Sequence, residues 1–81
     1  MNNIDKKKLN EIELNTCGME CPIPVLKARK LCQNLTKGTI VKVIATDPLA
    51  EGDFRHYCEQ SKYNIIDIKK KKEKLFIRFR I

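Results

Sequence analysis

The sequence predicts an α/β (α+β) two-layer sandwich, ordered β-α-β-α-β-β, with two helices packed on one face of a four-stranded mixed sheet. Three observations carry that prediction. Alternating apolar and polar residues mark strands near both ends of the chain. A β-rich run lies in the middle, and two helix-length segments with apolar stripes separate the runs. Strands alternating with helices, followed by a final strand pair, close most simply as one helical layer on one sheet.

Ile12 and Leu14 alternate with Glu11 and Glu13, so a half-buried strand is expected over 9–14. Residues 1–8, which include Lys6, Lys7 and Lys8, read as a flexible charged extension, and 9–81 as a single domain. Gly18 marks the turn that ends the first strand. The next segment reads as a helix from near Cys21 to a stop at Gly38. Val25, Ala28, Cys32 and Leu35 form its buried stripe, Leu31 widens it, and Lys27, Arg29 and Lys30 face water. Thr39 to Thr46 reads as a central strand, with Val41, Val43 and Ala45 on one apolar face. Asp47-Pro48 opens a loop into a second helix ending near Ser61, its stripe made by Ala50, Phe54, Tyr57 or Cys58, and Ser61. Strands over Asn64–Lys69 and Leu75–Ile81 flank a charged turn, Lys70 to Glu73. Lys42, Arg78 and Arg80 then fall on the sheet face open to water.

Size and charge narrow the function. The chain has 81 residues, 42% apolar and 33% charged, with 17 Lys and Arg against 10 Asp and Glu, a net charge of +7. A chain this short buries only about 60–65% of its extended surface, which leaves no room for a large internal cavity and excludes most cofactor enzymes. Chemistry belongs on a loop or an element end. No run approaches a membrane span of about 18 apolar residues, and the first 14 residues lack the apolar core of a secretion signal. A reducing cytoplasm is the expected compartment, so Cys17, Cys21, Cys32 and Cys58 read as thiols. Structural zinc uses two tight cysteine pairs, whereas only Cys17 and Cys21 are close, so no metal is expected.

Cys21 is the candidate reactive group. It falls where the first helix starts, and the unpaired N–H groups and dipole of a helix start stabilise a thiolate and lower its pKa. Pro22 is expected at the first helical position, where a missing N–H costs nothing. Pro24 removes a second unpartnered donor, leaving the Ile23 N–H to reach a Cys21 sulfur at the N-cap. The same placement also suits a small residue at a loop–helix junction.

Gly18-x-x-Cys21-Pro22-x-Pro24, then Gly38, then Asp47-Pro48 and Asp53, resembles the TusA/SirA-like sulfurtransferase family from Leu14 to Ile81. The resemblance implies that Cys21 carries sulfane sulfur as a persulfide, received from a donor such as a cysteine desulfurase. It implies delivery to a downstream acceptor protein, on routes that include tRNA thiolation, with no metal or organic cofactor. The chain departs from the family with Asn15 where many relatives have Asp, and with Cys17 where many have Arg. A thiol at Cys17 is placed to resolve a Cys21 persulfide into a disulfide, a redox or regulatory function on the same fold.

The remaining candidates read as structure. Cys32 and Cys58 lie on the helical stripes. His56, the only histidine, sits on a polar flank. Asp47 and Asp53 read as braces of the loop and the second helix. The cationic group Lys69 to Lys72, Lys74, Arg78 and Arg80 raises a small nucleic-acid-binding module as a rival. Phe76 is its only candidate stacking ring, so a solvated face or an acidic protein partner is favoured. For that partner, Lys27, Arg29 and Lys30 are expected nearer to Cys21 than the hairpin lysines are.

Overall fold

The computed structural model describes residues 11–81. The expected extension over 1–8, and residues 9 and 10 of the expected first strand, lie outside the described residues. The elements are β1 (Glu11–Thr16), α1 (Ile23–Cys32), β2 (Ile40–Ala45), α2 (Ala50–Ser61), β3 (Asn64–Lys71) and β4 (Lys74–Arg80). The sheet order is β1-β2-β4-β3. β1 runs parallel to β2, and β4 runs antiparallel to both β2 and β3. The expected class, element order and mixed sheet are all present.

Register decides where a site can sit. Ala45 pairs with Thr16 on one side and Leu75 on the other. The ends of β1 and β2 and the start of β4 therefore share one sheet end. Loop 17–22, loop 46–49 and the hairpin turn at Lys72-Glu73 all emerge there. The carboxyl ends of adjacent parallel strands are where open α/β sheets place ligands.

The core lies between the helices and one sheet face. Ala28 and Cys32 from α1 and Ala50, Phe54, Tyr57 and Cys58 from α2 pack on Val41, Val43, Ala45, Leu75, Ile77 and Phe79. The ring of Phe54 is wholly buried and meets Phe79 at 6.2 Å. Burial of such a side chain stabilises the fold by roughly 2–3 kcal/mol. It also fixes the rotation of α2, and with it the direction of the neighbouring Asp53. Burial pushes the Cys58 thiol up to about 12 and raises that of Cys32, as befits packing groups.

Several boundaries differ from the sequence expectation. β1 runs on to Thr16, because the buried Thr16 hydroxyl donates to the Ile44 carbonyl at 2.7 Å. α1 stops at Cys32, six residues before Gly38. Asn34 and Leu35 instead make tight i→i−3 bonds to Leu31 and Cys32. The final strands reach further toward each other, leaving Lys72-Glu73 as the whole turn, with Lys72 at φ 57°. Ser61 is only half-buried, and both Tyr57 and Cys58 are buried.

Candidate functional site

The site forms where two loops from the parallel strands meet the start of α2. After β1 the chain turns over Thr16–Met19, with the Met19 N–H donating to the Thr16 carbonyl at 3.1 Å. Gly18 occupies the third position at φ 82°. A Cβ there would meet nothing within 4 Å, so the glycine answers the left-handed backbone and not crowding. Its N–H donates to Thr46 Oγ1 at 2.8 Å, which ties this turn to the loop after β2.

Cys21 stands before the helix, not on it. The N-cap is Pro22, which follows a cis Cys21–Pro22 peptide, and Ile23 and Pro24 are the first two helical residues. The Ile23 N–H donates to the Glu20 carbonyl at 2.8 Å and does not serve the sulfur. The expected N-cap role of Cys21 and first-turn place of Pro22 are both displaced by one residue. Pro24 is buried in the core as well as lacking a donor.

Two carboxylates hold Cys21. Its N–H donates to Asp47 Oδ2 at 2.5 Å, and its thiol donates to Asp53 Oδ2. The other Asp47 oxygen accepts the Leu49 N–H at 3.0 Å, an Asx turn that leads into α2. Asp47 thus bonds both its own loop and the cysteine. Asp53 does not cap α2; it meets the sulfur.

The electrostatic consequence reverses the sequence expectation. The Cys21 thiol is pushed up to about 11, first by its hydrogen bond to Asp53, then by partial loss of water and by the charges of Asp53 and Asp47. The helix-start effect is outweighed because the sulfur faces a carboxylate and not the helical N–H groups. The resting group is a protonated thiol. Hydrogen bonds from Leu49 and Cys21 hold the Asp47 carboxyl below the usual carboxylate range.

Cys21 is half-buried in an open depression of about 490 Å³, bordered by Gly18, Glu20, Asp47, Pro48 and Leu49. A second depression, about 270 Å³, shares Thr46, Asp47 and Pro48 with the first and is closed by Lys70, Lys72 and Lys74. The hairpin lysines thus sit at the same sheet end as Cys21, beside the loop that carries Asp47. Lys27 and Lys30 are exposed on α1. The Arg29 guanidinium lies over the Tyr57 ring at 5.7 Å, in a depression with Gln60, Ser61 and Tyr63 at the far end of α2. Three large apolar side chains, two in the first turn of α1 and one in the loop before α2, remain exposed: Ile23 at 44%, Leu26 at 53% and Leu49 at 63%.

The other candidates take the following places. Cys17 is half-buried at the second position of the Thr16–Met19 turn, its N–H donating to Asn15 Oδ1 at 2.9 Å. His56 is exposed. Arg78 pairs with Asp67 at 3.2 Å and Glu11 at 3.5 Å across the open sheet face, and Lys42 lies over Phe76. Among the described residues no His, Cys, Asp and Glu group is arranged to hold a metal ion, and no helix is long and apolar enough to cross a membrane.

Known proteins share both sequence and fold. A protein of Neisseria meningitidis serogroup A is 36% identical over 59 residues, covering 73% of this chain and 80% of its own length. The sulfur carrier protein TusA of Allochromatium vinosum is 35% identical over 57 residues, covering 70% of this chain and 75% of its own. The crystal structure of a SirA-like protein from Desulfitobacterium hafniense superposes with a TM-score of 0.74 at 22% identity. It covers 85% of this chain and 95% of that one, and shows the same fold. The family model described as Sulfurtransferase TusA matches residues 12–81, from β1 to the last residue, and the chain belongs to that family.

Proposed function

We propose that this chain is a cytoplasmic sulfur carrier: Cys21 takes sulfane sulfur from a cysteine desulfurase-type donor, holds it as a persulfide, and passes it to an acceptor protein, on routes that include tRNA thiolation. The observation that carries the reading is the position of the Cys21 thiol, accessible in an open depression at the sheet end and anchored by Asp47 and Asp53. A partner's persulfide must reach this sulfur directly, and an open depression permits that where an enclosed cavity would not. The chemistry is displacement at sulfur, which needs no metal or organic cofactor. Each encounter moves one sulfur atom, so turnover belongs to the relay and not to this chain alone.

Gly18 and Pro22 shape the loop, Ile23 and Pro24 start the helix, and Asp47 and Asp53 hold the cysteine. The exposed Ile23, Leu26 and Leu49 offer an apolar rim for docking. Lys27 and Lys30 on α1, with Arg29 further along it, and the hairpin lysines offer cationic contacts for an acidic partner. The pairing of Arg78 with two acidic side chains favours a protein partner over nucleic acid on the open sheet face. Cys17, on the turn leading into Cys21, supports a second function: resolution of the persulfide.

The test is intact mass after incubation with a cysteine desulfurase and cysteine. One added sulfur, about 32 Da, is expected on the wild-type chain and absent in Cys21→Ala. An adduct that survives in Cys21→Ala, or no adduct in either protein, overturns the proposal.

A further inference from the structure

We propose that Asp53 is a catalytic residue that takes the Cys21 proton during sulfur transfer and hands it to the departing sulfur. The inference rests on the persulfide-relay reading and assigns its proton path. Asp53 Oδ2 accepts the Cys21 S–H, so the acceptor already touches the atom that must be deprotonated. Asp47 is engaged with the backbone and makes no bond to the sulfur. Its two oxygens are taken by the N–H groups of Cys21 and Leu49, whereas among the described residues no donor other than the Cys21 thiol reaches the Asp53 carboxylate. Asp53 also lies in the first turn of α2, which fixes its place beside the Cys21 loop.

A preformed thiolate does not explain attack at neutral pH. With the thiol near 11, roughly one molecule in ten thousand is ionised at pH 7. The charged groups facing the sulfur are Asp53 from α2, Asp47 from the loop after β2, and Glu20 from its own loop. All three are acidic, so none assists ionisation by attraction. A base that receives the proton as the new bond forms removes the difficulty, and such assistance is worth about 10²–10⁴-fold.

The step balances without an oxidant. As Cys21 Sγ bonds to the outer sulfur of the donor persulfide, its proton passes to Asp53 Oδ2. The donor's S–S bond breaks, its electron pair stays on the inner sulfur, and that sulfur takes the proton from Asp53. Cys21 is left as the persulfide and the donor as a thiol. On delivery the acceptor thiol passes its proton to Asp53 as it bonds to the outer sulfur, the Cys21 S–S bond breaks, and Cys21 as the departing sulfur takes that proton from Asp53.

The test uses the full chain and a neutral small disulfide, bis(2-hydroxyethyl) disulfide, which is opened by the same displacement. Loss of free Cys21 is followed by peptide mass from about pH 6 to pH 8. In the wild type the reacting species is the thiol–carboxylate pair, so the rate should change by less than about twofold per pH unit. In Asp53→Asn only free thiolate attacks, so the rate should rise about tenfold per unit. A tenfold rise per unit in the wild type means that Asp53 only suppresses ionisation, and it overturns the proposal. So does a flat profile in both proteins, which requires another base. The wild-type profile stands even where the variant folds poorly. Because the probe carries no sulfane sulfur, its outcome is independent of the desulfurase mass test.

Discussion

The carboxylate of Asp47 staples two loops together, accepting the Cys21 N–H at 2.5 Å across a separation of 26 residues while its other oxygen accepts the Leu49 N–H. It holds the backbone at Cys21, whereas Asp53 holds the sulfur. Loss of the staple should misplace the sulfur, and it also removes the smallest of the influences that raise its thiol. Asp47→Ala is expected to slow Cys21 persulfide formation by roughly 10–100-fold, the usual cost of displacing a reacting atom by about an ångström. The sign of its pH dependence follows from its lowered pKa. The folded chain binds this proton less tightly than the unfolded chain does. The contribution is therefore present above the ordinary 3.8 and lost as pH falls through the depressed value. Thermal melting between about pH 2 and pH 6 should show a shallower acid decline in Asp47→Asn than in the wild type.

Direct titration of Cys21 gives a separate prediction. The difference in thiolate absorbance between wild type and Cys21→Ala should rise with a midpoint of about 11, above the ordinary 9.0. In Asp53→Asn the midpoint should move down, because the largest cause of the rise is removed. The folded chain holds the proton more tightly, so this stabilising contribution is complete below 9.0 and fades as pH rises toward about 11. A midpoint below 9.0 would restore the helix-start effect as the dominant influence.

Cys17 should shorten the life of the persulfide. Its thiolate attacks Cys21 Sγ, the Cys17–Cys21 disulfide forms, and hydrosulfide leaves with the outer sulfur. Wild-type persulfide is expected to decay with release of one sulfide per chain, and Cys17→Ser to retain its persulfide longer. Sulfide release and peptide mass read both products. Equal lifetimes in the two proteins would leave Cys17 as a turn residue only.

The fold was legible in the sequence because each element has a strong pattern. Leu75, Ile77 and Phe79 alternate cleanly, and Val41, Val43 and Ala45 make one apolar face; all six residues are buried. The end of α1 was less legible, since tight turns after Cys32 keep Leu35 half-buried without continuing the helix. Cys21 was visible through its neighbours Gly18, Pro22 and Pro24. Its electrostatics were not, because they depend on a partner 32 residues away. A signal did exist in the order of elements. A β-α-β start places the loops after β1 and β2 side by side at one sheet end, which brings Asp47 and Asp53 toward Cys21. The same reasoning places the hairpin there, since β4 must begin where β2 ends.

That placement changes which cations should guide a partner. Lys70, Lys72 and Lys74 border the depression that shares Thr46, Asp47 and Pro48 with the Cys21 depression, so a protein covering the cysteine also covers the hairpin end. These lysines are exposed, and their charges should act mainly on encounter with an acidic surface. Reversing Lys70, Lys72 and Lys74 to Glu is expected to slow association by about tenfold or more at low salt, with the difference shrinking as ions screen the field. Lys27→Glu with Lys30→Glu should have a smaller effect, because these residues flank α1 and do not line the shared wall. Arg78→Glu should leave transfer nearly unchanged, since Arg78 lies on the open sheet face and is engaged with Glu11 and Asp67. Sulfur transfer from a persulfidated cysteine desulfurase, timed across a salt series, separates these outcomes. If the α1 reversal is the damaging one, the partner lies along that helix. If the Arg78 change is, the open face is the docking surface and direct nucleic-acid contact regains ground.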